Sequence, residues 1–314
     1  MEIAILESLG ISEQELAGRT APFEAEGHRF RLYERTTEIA ALQERLRTAD
    51  VAILANMPLP AAAFETAANL KYINIAFTGV DHVAVSSAKE RGIVLSNASG
   101  YSNQAVAEMT IAMVLSLYRR LPQAERRARA GKTKDGLIGC EIRGKTVGII
   151  GYGKIGRCSA ALFLAFGASV LANNRRRLTD LPAGVRQVEL DELLAESDIV
   201  VLHCPLTEQT EGMIDSCRLA QMKPSAILIN VARGPVVVAA DLAKALDEGV
   251  IAGAGIDVFD MEPPLPLDEP LLYPYHSIIT PHVAFATQES MLLRADIVFA
   301  NLAAWLSGAP QNLI

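Results

Sequence analysis

Short apolar runs alternate with mixed polar and apolar stretches along the chain. Ile3–Leu6, Val51–Ala55, Tyr72–Ile75 and Gly92–Ser96 read as strands, with helices expected over Thr37–Arg47 and Ala61–Asn69. Residues 101–118, rich in Ala, Met, Val and Leu, predict a long helix, with Asn103 a candidate cap and Glu108 early in it. From Lys145 the alternation resumes. Strands are expected at Thr146–Ile150, Ser169–Ala172, Ile199–His203, Ala226–Val231, Gly253–Val258 and Ser277–Thr280. A helix is expected over Arg157–Phe166, and Gln288–Leu306 closes the chain as a helix. Apolar strands alternating with helices imply parallel sheets covered on both faces. The fold class expected is therefore α/β, with two α/β units joined by a long helix.

Length agrees with two units. A chain of 314 residues exceeds what one hydrophobic core usually serves. Half of it is apolar and the net charge is -7, a composition typical of soluble globular proteins and one that disfavours nucleic acid or an anionic membrane as main partner. The basic stretch at 119–136 (Arg119, Arg120, Arg126, Arg127, Arg129, Lys132, Lys134) is then better read as a solvated helix face or inter-subunit arm. Cys140, Cys158, Cys204 and Cys217 have neither C-x-x-C nor zinc spacing, so no metal is expected and reduced thiols in a cytoplasmic protein are. Neither a signal peptide nor a membrane span is read.

The first chemistry lies at Gly151-Tyr152-Gly153-Lys154-Ile155-Gly156, between an apolar strand and a helix. That context makes G-x-G-x-x-G a dinucleotide turn. Gly151 permits the tight bend, Gly153 lets backbone approach a pyrophosphate, and Gly156 lets helix and strand pack. The acid expected about twenty residues on, at the next strand's end, is missing. Asn173-Asn174-Arg175-Arg176-Arg177 stands there instead. An Asn does not repel a 2′-phosphate and arginine forks bind one, which favours NADP. A basic turn with Asn174 bonding the ribose of NAD is the alternative.

Hydride transfer to a keto acid also needs a proton donor, a partner tuning it, and a cation for the carboxylate and carbonyl. Ile229-Asn230-Val231-Ala232-Arg233-Gly234, Gly255-Ile256-Asp257-Val258-Phe259-Asp260-Met261-Glu262-Pro263 and Ile279-Thr280-Pro281-His282-Val283-Ala284 end three successive strands with such groups. With the glycine turn, these segments resemble the D-isomer-specific 2-hydroxyacid dehydrogenase family over essentially the whole chain.

The resemblance implies that His282 is the acid–base residue, Glu262 its partner, and Arg233 the substrate clamp. It implies that Asp257 orients the nicotinamide carboxamide and that backbone N–H groups of Thr78-Gly79 hold the substrate carboxylate. His203, Cys204, Pro205 and Thr210 would line the adenosine side, with Lys154, Ile155, Asn174, Arg175, Arg176, Val231 and Ala232 also at the cofactor. It implies a Rossmann cofactor domain (99–286) inserted in a flavodoxin-like substrate domain (1–98 and 287–314), both doubly wound parallel sheets, and a homodimer. Asn97-Ala98-Ser99-Gly100-Tyr101-Ser102 and the Ala284-Phe285 pair after the histidine look like the glycerate dehydrogenase/hydroxypyruvate reductase branch, although that branch usually has Trp at Phe285 and another before the first Rossmann strand. The resemblance thus implies small 2-keto and 2-hydroxy acids as substrates. A lactate or branched-chain 2-hydroxyacid dehydrogenase and a dinucleotide-sensing corepressor are the alternatives.

Overall fold

The computed structural model describes residues 1–261 and 264–314. They form two compact units: Met1–Ser102 with Ala286–Ile314, and Asn103–Phe285.

The first unit is built on β1 (Glu2–Ile5), β2 (Arg29–Leu32), β3 (Val51–Leu54), β4 (Tyr72–Ile75) and β5 (Val94–Asn97), with helices α1 (Glu13–Ala25), α2 (Ile39–Leu46) and α3 (Val85–Glu90). The strands are parallel in the order β2-β1-β3-β4-β5, the flavodoxin-like arrangement. β3 and β4 are buried at every position, as a sheet covered on both faces requires. α1 starts on a capping box: Ser12 Oγ accepts from Glu15 N–H while Glu15 Oε2 accepts from Ser12 N–H.

The C-terminal helix Gln288–Leu306 belongs to this unit. The buried Asn74 amide on β4 donates to Val298 O at 2.8 Å, Asn301 donates to Asn97 O at 3.0 Å, and Trp305 stacks on Tyr72 at 4.8 Å. The two buried asparagines, Asn74 under the helix and Asn301 on it, therefore both have partners, which makes their burial tolerable.

The second unit begins with α4 (Asn103–Tyr118) and α5 (Leu121–Arg129), then runs β6 (Thr146–Ile150), α6 (Lys154–Ala165), β7 (Ser169–Asn173), β8 (Val185–Gln187), α7 (Leu190–Glu196), β9 (Ile199–Leu202), α8 (Ser216–Leu219), β10 (Ile227–Asn230), α9 (Ala239–Asp247), β11 (Gly253–Ile256) and β12 (Ser277–Ile279). Its seven strands are parallel in the order β12-β11-β10-β9-β6-β7-β8. Counted from β6, that is the Rossmann order with one further strand. Successive residues alternate between two cores. Ile199 and Val201 face a cluster with Phe163 and Val114, while Val200 and Leu202 face one with Leu193 and Leu242.

Three expectations are corrected. Ala61–Asn69 is not an α-helix: only Ala61–Phe64 winds, as a 3-10 turn following Pro60. Asn103 is the first residue of α4 rather than its cap. The helix after the glycine turn starts at Lys154, three residues earlier than the apolar pattern indicates, because the turn itself forms the first helical residues. Among the described residues no helix is long and apolar enough to cross a membrane.

Candidate active site

In the second unit the switch point lies between β6 and β9, where crossovers leave in opposite directions. Gly151 sits there with φ +98°, and a Cβ on it would lie 2.5 Å from Cys204 N. A Cβ on Gly156 would lie 2.3 Å from Gly151 O. Both positions exclude a side chain for steric reasons within the protein. Gly153 differs: its Cβ would meet nothing within 4 Å. It precedes α6 without a side-chain cap, and among the described residues the N–H groups of Lys154 and Ile155 meet no backbone acceptor. Free N–H groups at the positive end of a twelve-residue helix, beside open space, fit a pyrophosphate.

Across the switch point, His203 Nε2 lies 2.8 Å from the buried Ser159 Oγ, and burial pushes the imidazole pKa down to about 3. The ring is neutral at ordinary pH. Burial likewise pushes the Cys204 thiol up to about 11, so it is no nucleophile near neutrality. Pro205 is exposed, and its carbonyl accepts from Thr210 Oγ1 at 2.7 Å, which closes the following turn. Asn174 follows β7 directly. Its amide donates to Arg176 O at 3.1 Å, so the side chain shapes the basic turn. Arg175, Arg176 and Arg177 are exposed, and Arg175 and Arg177 line a groove with Asn173, Asn174, Gln187 and Glu189.

The ends of β10, β11 and β12 carry the remaining groups of this unit. Arg233 follows β10 after the buried Val231 and Ala232. Asn230, which sequence reading passed over, shapes that turn: its amide donates to Arg233 O at 2.9 Å and its Oδ1 accepts from Ala232 N–H at 3.1 Å. An Asn at a strand end is the signal that was there to be read. Next, Gly234 runs so close to the segment after β11 that a Cβ would lie 2.0 Å from Phe259 C. The Arg233 turn and the Asp257–Asp260 segment are thereby in contact.

Asp257 is fully buried. Its Oδ1 accepts from Thr280 Oγ1 at 2.6 Å and from Val283 N–H at 2.8 Å, and its Oδ2 accepts from Ala284 N–H at 2.9 Å. Its carbonyl accepts from His282 N–H at 2.7 Å. Burial raises the carboxyl pKa, and these bonds pull it partly back. His282 has φ +54°, left-handed for a residue with a Cβ, a conformation costing roughly 1–2 kcal/mol. Its ring meets Phe285 edge-on at 5.4 Å. Glu262, expected to partner His282, lies outside the described residues.

In the first unit, Thr78-Gly79 follows β4. Thr78 O accepts from Asn97 Nδ2 at 2.8 Å, which ties the loop to the end of β5. Among the described residues no group of three or more His, Cys, Asp and Glu side chains is placed to hold a metal ion.

A Rossmann-ordered sheet with a glycine turn at its switch point, followed by Arg, Asp and His at the carboxyl ends of three neighbouring strands, defines an oxidoreductase working with a nicotinamide dinucleotide. Residues 111–284 match the model of the D-isomer specific 2-hydroxyacid dehydrogenase, NAD binding domain. The chain is 36% identical to a hydroxypyruvate reductase of Blautia hydrogenotrophica, over 90% of this chain and 91% of that one. It is 39% identical to a glyoxylate reductase of Korarchaeum cryptofilum, over 86% and 84%. An acyclic imino acid reductase solved with NADPH and D-Arg superposes with a TM-score of 0.90 at 29% identity, over the whole of both chains. The chain belongs to the D-isomer-specific 2-hydroxyacid dehydrogenase family.

Proposed function

We propose that this enzyme reduces a small 2-keto acid of the hydroxypyruvate or glyoxylate type to the D-2-hydroxy acid, with NADPH preferred over NADH. The observation carrying the proposal is the placement of Arg233 and His282 after β10 and β12, at the carboxyl ends of the parallel strands, where the glycine turn also follows β6. The names of the relatives point to the same substrates.

A bound dinucleotide supplies the hydride. His282 donates a proton to the keto oxygen as charge develops there, and takes it back in the oxidative direction. Glu262, as its partner, keeps the imidazole protonated. Arg233 grips the carboxylate and polarises the carbonyl with the same guanidinium.

The NADPH preference rests on the exposed arginines after β7 and on the absence of an acid there, with Glu189 on the groove rim working against a phosphate. The chain pairs with a second copy through α5 and the loop after it, where Leu121 and Ile138 are exposed among basic residues.

Steady-state kinetics with hydroxypyruvate, glyoxylate, pyruvate and 2-ketoisocaproate, each with NADPH and NADH, test the reading. The two small substrates should give the highest kcat/KM, and NADPH should exceed NADH. Preference for 2-ketoisocaproate or for NADH would overturn the corresponding half. Tight dinucleotide binding without turnover of any keto acid would mark a sensor rather than an enzyme.

A further inference from the structure

The buried carboxylate of Asp257 is bonded to the loop that carries His282, and the bonds fall on both sides of that residue. Thr280 Oγ1 donates to it from before the histidine, and Val283 and Ala284 N–H donate from after it. The histidine's own N–H is held by the Asp257 carbonyl. We propose that Asp257 is the positioning residue for His282, clamping residues 280–284 so that the histidine keeps its left-handed backbone and its ring keeps one orientation.

Three observations support the clamp. First, a backbone at φ +54° returns to a commoner conformation unless its neighbours are held, and His282 is one of only three such non-glycine residues among those described. Second, the loop follows β12, an edge strand paired on one side only, by β11. Backbone bonds from Thr280 N–H to Ile256 O and from His282 N–H to Asp257 O tie it to β11 and the segment after it, and the carboxylate adds three bonds on both sides of the histidine. Third, Asp257 stands among Ile256, Val258 and Phe259, all buried, where a carboxylate is costly unless its oxygens accept hydrogen bonds. The bonds that satisfy it are those of the histidine loop. Phe285, edge-on to the imidazole, restrains the ring from the side chain's end. The carboxamide role that the family resemblance implies for Asp257 would leave its mark on cofactor binding, whereas the clamp leaves its mark on turnover.

This inference rests on the reading of His282 as proton donor, and the test separates the two. The variants are Asp257→Asn, Thr280→Val, His282→Ala and the double variant Asp257→Asn/His282→Ala. Their kcat with glyoxylate and with hydroxypyruvate, their NADPH Kd from fluorescence, and amide hydrogen exchange at residues 282–284 are measured.

An Asn turns an NH2 group toward one of the donors, so Asp257→Asn should lower kcat about 100-fold, with NADPH Kd within about twofold. Thr280→Val, which removes one donor, should lower kcat about tenfold. Both should speed exchange at Val283 and Ala284. In the His282→Ala background, Asp257→Asn should cost less than about twofold more, because the two residues act as one unit.

The proposal falls if Asp257→Asn keeps its kcat, loses activity only through a raised Kd, or adds its full effect to His282→Ala. If Asp257→Asn does not fold, an unchanged kcat and unchanged exchange in Thr280→Val overturn it. Normal turnover by His282→Ala would instead sink the proton-donor assignment, and exchange at 283–284 would then judge the clamp by itself.

Discussion

Two histidines, each just after a strand, face opposite demands. In the proposed reaction His282 carries a proton, whereas His203 is kept from taking one. The fold holds His203 neutral beside Ser159 by withholding water, with a pKa of about 3 against 6.5 in an unfolded chain. A histidine whose folded pKa is depressed leaves the folded state at full stability above the unfolded pKa. It costs stability as pH falls from 6.5 toward 3, because only the unfolded chain then binds the proton. Acidification from pH 7 to 5 should therefore remove about 2 kcal/mol through this residue. Urea denaturation of the wild type and of His203→Gln at both pH values checks it. The variant should lose clearly less on acidification, and parallel losses would show that His203 is not the acid-sensitive group.

At the scale of elements, legibility followed burial. β3 and β9, buried throughout, appear in the sequence as continuous apolar runs, and β4, also buried throughout, as an apolar run interrupted by Asn74. β2 is mostly exposed on a sheet edge and β8 spans only Val185–Gln187, so neither writes a hydrophobic pattern. The glycine turn was legible because two of its glycines are forced by backbone contacts that the order of strand, turn and helix already implies. The acceptor work of Asp257 was not legible: an Asp at a strand end is compatible with many donors, and only the fold brings residues 280–284 to it.

The turn after β7 was legible as basic, and its arginines are exposed, with Arg175 and Arg177 lining a groove. Arg175→Ala combined with Arg177→Ala should lower kcat/KM for NADPH by about 10- to 100-fold and leave NADH within about twofold. Equal losses with both cofactors would mean the turn senses no 2′-phosphate.

The molecule as a whole consists of two units, and a dinucleotide bound at the glycine turn stabilises the second. NADPH at about 100 times its Kd contributes roughly 2.7 kcal/mol, which should raise the Tm of that unit by about 5–10 °C. Differential scanning calorimetry with and without NADPH reads this shift. A transition that does not move would place the dinucleotide elsewhere or deny its binding.

The C-terminal helix gives the chain a direction in time as well as in space. Asn74 on β4 waits for a carbonyl 224 positions further along the chain, and Tyr72 waits for Trp305. On a ribosome, the five strands made first must stand with one apolar face uncovered until the last segment emerges. The second unit has all its strands and helices by then. The part made in the middle is thus the first able to complete itself. A nascent chain halted before residue 286 should expose the first sheet to chaperones while already binding its dinucleotide.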